Sequence, residues 1–127
     1  MQIKKMTEGR RFDMGAGDTR NVFGPHNGAK HLTFNYAKFD SGQAFKQHIH
    51  EQSEDLIIVL DGDGVIKLDD KEYPISAGDV ILVSVGEFHG TVAGPNGMTS
   101  VSCQAPIDEK LYSGGSGSRK NLVGNPS

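Results

Sequence analysis

His48 and His50 stand one residue apart, and two acidic side chains, Glu54 and Asp55, follow within a few positions. Imidazole and carboxylate together form a ligand set for a divalent transition metal. Spacing matters here as much as residue type. Side chains repeat every second residue along an extended strand, so an extended backbone would turn both imidazoles toward one point. On a helix the same pair would diverge. The spacing therefore predicts a strand through His48 and His50, with a carboxylate arriving shortly afterwards.

Such ligands need a scaffold, and the pattern around them is one of short strands. His31 to Phe39 reads as a strand with Leu32, Phe34 and Tyr36 on one face. Phe45 to His50 is expected as the next strand. Asp55 to Leu60 and Val80 to Val83 are apolar at nearly every position, so both are expected to be buried on both faces. Asp61-Gly62-Asp63-Gly64 carries a hairpin turn signal. Val65 to Leu68 and Glu72 to Ile75 follow as strands. Phe88 to Ala93 and Met98 to Gln104 are expected as two more, joined by a turn at Gly94-Pro95-Asn96-Gly97. No long stretch repeats apolar residues with a helical period. Short strands between Gly-rich turns predict an all-β sandwich or barrel.

The chain has 127 residues, enough for one domain. No apolar run approaches the roughly 20 residues that span a bilayer. Residues 1–20 lack an apolar leader core, so no signal peptide is expected. The single cysteine, Cys103, allows no internal disulfide. A cytoplasmic protein is expected on these grounds. The net charge is −3, and no basic stripe marks a nucleic-acid surface. Nucleic acid and membrane are therefore not expected as partners. Residues 1–25 mix charge and glycine and are expected as a partly ordered N-terminal arm that could add one strand. Residues 26–112 are expected to form the barrel. Residues 113–127 begin with Ser-Gly-Gly-Ser-Gly-Ser and are expected as a flexible tail.

Two motifs then give the chain a resemblance. Five residues separate Gly42 from His48, and His50 follows at the next position but one. Further on, Gly78, Gly86 and His89 fall at the spacing of a second motif. In this order the two sets resemble the cupin superfamily in its small single-domain form. Ser84 stands where the second motif has proline, and Ala93 where it has asparagine. The resemblance implies a double-stranded β-helix, or jelly-roll barrel. It also implies that His48, His50, an acid and His89 hold one divalent metal ion: Mn, Fe, Ni, Co or Zn. Six intervening residues before Gly62 give Asp55 as the acid; three intervening residues after His50 give Glu54. Asp55 is the preferred reading and Glu54 the alternative. Small cupins commonly form homodimers, and one is expected here.

What the resemblance implies for function is a metal-dependent enzyme on a small oxygen-rich substrate that chelates the ion. Dioxygenase, decarboxylase, isomerase and lyase chemistries all fit, with the catalytic acid or base unassigned. The alternative is a non-catalytic module that binds a sugar or small acid. A purely structural barrel ranks last. Tyr36, Lys46, Phe88 and Gln104 are the candidate substrate contacts. Lys46 shares strand parity with His48, and Tyr36 and Phe88 are expected near the inward face. His26 is expected in an exposed turn, His31 at the start of a strand, and Cys103 as a small buried side chain.

Overall fold

The computed structural model describes residues 1–12 and 16–107. The expected tail at 113–127 lies outside the described residues. Eight strands follow in chain order: β1 (Arg10–Arg11), β2 (Asp18–Phe23), β3 (Thr33–Phe39), β4 (Ala44–His48), β5 (Glu54–Leu68), β6 (Lys71–Ser76), β7 (Val80–Val83) and β8 (His89–Ala105). Among the described residues two short 3-10 turns accompany them, Met6–Glu8 before β1 and Pro25–Asn27 between β2 and β3. No helix among the described residues is long and apolar enough to cross a membrane. The first 25 residues contribute β1 and β2, which extend the sheet beyond β3.

The two longest strands, β5 and β8, form one antiparallel ribbon, from Glu54 opposite Ala105 to Leu68 opposite His89. At one end of the ribbon β7 flanks β5 and β3 flanks β8. At the other end β6 flanks β5 and β4 flanks β8. A ribbon flanked differently at its two ends and folded over is the double-stranded β-helix.

This pairing corrects two expected turns. Residues 61–64 are not a hairpin but run within β5; residues 94–97 run within β8 without partners on β5, the ladder passing from Met98 opposite Gly62 to Ala93 opposite Gly64. Both stretches lie inside continuous strands and form the corner of the ribbon. The β5–β8 register slips between Val59 and Asp61 and again between Gly62 and Gly64. Such bulges bend a strand and sharpen its twist. Gly62 has φ +78, and a Cβ there would stand 2.1 Å from the carbonyl oxygen of Gly97. Glycine is therefore required at this corner twice over, by backbone conformation and by close approach.

The barrel interior is apolar toward this corner, where Phe39, Val59, Ile66, Ile75, Val83 and Met98 are buried together. The doubly buried strands of the sequence reading are a second correction. In β5, Asp55, Ile57 and Val59 are buried while Leu56 and Leu60 are exposed; in β7, Val83 is buried while Val80 and Leu82 are exposed. Each strand has one face in the barrel and an apolar face outside. The strand expected from His31 starts at Thr33, with His31 and Leu32 exposed. Its inward residues are Ala37 and Phe39, on the core side, whereas Tyr36 packs with Val22 and Val101 in a separate outer cluster.

Candidate metal centre

At the other end of the barrel the interior becomes polar. β4 ends at His48, so His50 lies just beyond the strand rather than within it. The main chain still brings both imidazoles to one place. A backbone bond from Gly86 N–H to the His50 carbonyl, 2.9 Å, ties the segment after β4 to the turn before β8. That turn needs no proline. Ser84 N–H donates to Glu87 Oε1 at 2.7 Å, and Gly86 takes φ +84. His89 opens β8 directly opposite His48, on an adjacent strand rather than across the barrel. Asp55 enters from β5, where it pairs with Val83 and Gln104.

His48, His50, Asp55 and His89 thus converge, with one donor atom from each lying within 4.8 Å of all the others. His48 Nε2 is 3.1 Å from His50 Nε2. Asp55 Oδ2 is 3.7 Å from His50 Nε2 and 3.4 Å from His89 Nε2. Glu54 is exposed and lies outside the cluster.

The donor set fits a metal ion. Bonds of about 2.1 Å at right angles place neighbouring donors about 3.0 Å apart, and opposite donors about 4.2 Å apart. The separations observed fall close to that range. Tautomers agree as well. His48 Nδ1 lies 2.7 Å from the Lys46 carbonyl, and His89 Nδ1 lies 2.9 Å from the Glu87 carbonyl. A carbonyl can only accept, so each Nδ1 carries the proton and each Nε2 offers a lone pair to the cluster. Asp55 Oδ1 and His89 Nε2 are buried without a hydrogen-bond partner among the described residues. Electrostatics point the same way. Burial works against a charged His89, but the Asp55 carboxylate, with the Glu87 carbonyl and charge behind it, raises its pKa above the ordinary imidazole value. The site favours positive charge.

Beside the cluster lies a cavity of about 40 Å³. That is room for a few water-sized groups, at roughly 10–15 Å³ each. Phe45 and His48 of β4 line it with Thr91 and His89 of β8, while Asp55 and Ile57 line it from β5, paired with Gln104 and Ser102. Asn35, Ser100, Ser102 and Gln104 form a polar wall from β3 and β8, and Phe12 closes in from the N-terminal segment. Of the expected substrate contacts, Gln104 lines the cavity, buried and with Nε2 3.3 Å from His50 Nε2. Tyr36 borders the cavity but packs with Val22 and Val101. Lys46 and Phe88 are exposed and do not line it. The register of β4 against β8 slips between Phe45 and His48, so Phe45, not Lys46, shares the inward side with His48. His26 is half-buried rather than exposed, and burial, then Arg10 and Lys4, lower its pKa. Burial, then the charge of Asp55, push the Cys103 thiol up, away from the reactive thiolate.

A bent β-ribbon barrel with three imidazoles and a carboxylate converging at its polar end defines a small jelly roll with a cluster that could hold a metal ion. Residues 35–98 match the family described as the cupin domain, and the chain belongs to that family. The dimethylsulfoniopropionate lyase DddW of Ruegeria pomeroyi is 29% identical over 77 residues, which cover 61% of this chain and 50% of that one. The chain thus spans about half the length of this curated relative. The polyketide cyclase RemF from Streptomyces resistomycificus is similar at TM-score 0.70 and 25% identity, over 84% of this chain and 79% of that one. A predicted oxalate decarboxylase from Thermotoga maritima matches at TM-score 0.69 and 20% identity, over 84% of this chain and all, 100%, of that one.

Asn35, Ser100, Ser102, Thr91 and Phe12 were not among the candidates read from sequence. A signal existed in β8, where Ser100, Ser102 and Gln104 alternate with Val101 and Cys103. The usual rule sends the apolar set inward; here the polar set lines the cavity.

Proposed function

We propose that this protein is a metal-dependent enzyme acting on a small oxygen-rich acid, with lyase chemistry as the leading reaction type. The observation that carries the reading is the convergence of His48, His50, Asp55 and His89 at the edge of a small polar cavity. His48, His50, Asp55 and His89 would hold one divalent ion, of the set Mn, Fe, Ni, Co or Zn. When bound, such an ion supplies Lewis acidity toward a carboxylate or carbonyl. The chain's own residues do the rest. The Lys46 and Glu87 carbonyls fix the histidine tautomers. Phe45 and Ile57 exclude water from one side, which strengthens charge interactions within. Gln104 orients groups beside His50. The similarity to a lyase supports carbon–heteroatom or carbon–carbon cleavage over oxygen insertion.

A second reading has its own support. Among the described residues lining the cavity, Tyr36 is the sole titratable group outside the cluster, and it packs with the outer apolar cluster. A pocket without an independent acid or base suits a module that binds a small acid without turning it over. One experiment separates the two. The protein is loaded in turn with Mn, Fe, Ni, Co and Zn and incubated with a panel of small carboxylic acids, with products followed by NMR. Metal-dependent product that disappears in His50→Ala is expected. Binding in the same panel with no product under any metal would establish the module instead.

The proposal extends to assembly and place: a homodimer, acting in the cytoplasm, with no nucleic-acid or membrane partner. The exposed apolar outer faces of β5 and β7 support the dimer.

A further inference from the structure

The wall facing the metal cluster contains an amide whose orientation is dictated from behind. Asn21 is fully buried, and its Nδ2 donates both to the Phe23 carbonyl, 3.2 Å, and to Asn35 Oδ1, 2.7 Å. The Phe23 carbonyl can only accept, so it fixes which end of the Asn21 amide is nitrogen. That nitrogen in turn fixes Asn35, because two amide nitrogens cannot face each other. Asn35 must present Oδ1 to Asn21, which leaves its Nδ2 to the other side. This Nδ2 is buried, Asn35 being 5% exposed, and has no hydrogen-bond partner among the described residues. Asn35 also lines the cavity beside the metal cluster.

Buried donors are normally satisfied, and one held in place by two other groups while lacking an acceptor calls for a functional explanation. We infer that Asn35 is a ligand-binding donor: its Nδ2 receives a neutral carbonyl oxygen of the molecule whose other end meets the metal cluster. The inference rests on the metal-pocket reading above. The neutral character follows from the wall itself. No Lys or Arg lines the cavity among the described residues, so a second carboxylate would be buried without a cationic partner. Ser100 and Ser102, next to Asn35 across the β3–β8 pairing, are hydroxyls and add no charge. Asn21 is the positioning residue. The ligand is then a short molecule with a chelating oxygen pair at one end and a carbonyl at the other.

Alkyl hydroxamates test this on the cobalt-loaded full chain, since they chelate through two oxygens whatever the natural substrate is. A series with a keto group at the fourth, fifth or sixth carbon is titrated beside the plain alkyl counterparts, read by cobalt absorption. At least one keto member is expected to bind about fivefold tighter than its counterpart, the gain of one hydrogen bond. Asn35→Asp keeps an acceptor for Asn21 but places an oxygen where Nδ2 was. It is expected to abolish the keto preference while leaving cobalt uptake and plain hydroxamate affinity in place. Asn35→Leu gives the same loss without added charge, and covers the case in which the aspartate variant does not fold. No keto preference across the series, or a preference that survives in either folded variant, would overturn the assignment. If cobalt does not bind to the wild type at all, the metal reading fails and this inference falls with it. If cobalt binds and the preference is missing, only Asn35 loses its role.

Discussion

Asp55 is 4% exposed, and the imidazole Nε2 atoms of His89 and His50 approach one of its carboxylate oxygens at 3.4 and 3.7 Å. A buried carboxylate in that setting is expensive unless something positive completes it. Disturbing an outer partner of a metal ligand already costs about 10–100-fold in affinity, so loss of the ligand charge itself is expected to cost about 100-fold or more. Asp55→Asn preserves shape and is the variant to measure, by competition with a coloured chelator. Glu54→Gln, one residue away and exposed, is expected to bind metal as the wild type does. Equal losses in both would remove Asp55 from the cluster. Metal also stabilises what it binds, so chelation should lower the wild-type melting temperature and leave that of Asp55→Asn nearly unchanged. The His-x-His step and the resemblance of the two motifs together singled out three of the four clustered residues, His48, His50 and His89, without ambiguity. It left the acid open between Glu54 and Asp55. The alternation of β5 decides which of the two faces the barrel, and both faces of that strand are apolar in sequence.

At the scale of elements, most strands were legible and the connections between them were less so. A glycine pair between apolar runs is the same local signal whether the chain reverses in a hairpin or bends through a bulge. Gly62 and Gly97 do the second, and only the pairing of β5 with β8 along their whole length reveals it. The polar wall was hidden for a related reason. Apolar alternation in β3 and β8 marks a face to be covered, and a sequence does not say whether the barrel or something outside covers it. The corner makes its own prediction. Gly62→Ala forces a side chain into φ +78 and to within 2.1 Å of a carbonyl oxygen. Left-handed strain costs about 1–2 kcal/mol, and overpacking adds about 1–3 kcal/mol. A loss of about 3 kcal/mol is expected in urea unfolding. Gly86→Ala, at φ +84 with nothing within 4 Å, isolates the strain alone and is expected to lose about 1–2 kcal/mol. Equal losses would mean that the corner relaxes and the close approach is not a constraint.

For the whole molecule the outer face of the sheet carries the remaining question. Directly opposed residues share a face, and the pairing runs Leu82, Leu56, Cys103, Phe34, Phe23 across β7, β5, β8, β3 and β2. The neighbouring row runs Val80, Ile58, Val101, Tyr36. Two adjacent apolar rows make a continuous sheet face, not scattered surface leucines. The β8 and β3 part is closed by the cluster of Val22, Tyr36 and Val101, while Val80 and Leu82 remain 61% and 59% exposed. An apolar patch of this kind on a chain of this size marks an association surface. A second copy is the occupant proposed here: the rows carry charge only at the far end, where Arg20 and Arg11 follow Tyr36 and pair with Asp18, so the exposed Val80 and Leu82 end can meet itself without like charges opposing across the interface. Leu82 is the residue to change, since its exposure means that Leu82→Lys removes no core contact. The wild type is expected to sediment as a dimer at micromolar concentration, and Leu82→Lys as a monomer with an unchanged circular dichroism spectrum. A wild type that sediments as a monomer at the same concentration would refute the dimer. The candidate metal cluster lies on the inner side of the same strands, through Asp55 in β5. The monomeric variant is therefore expected to keep its metal stoichiometry, and a loss of metal on dissociation would show that the site depends on the second copy.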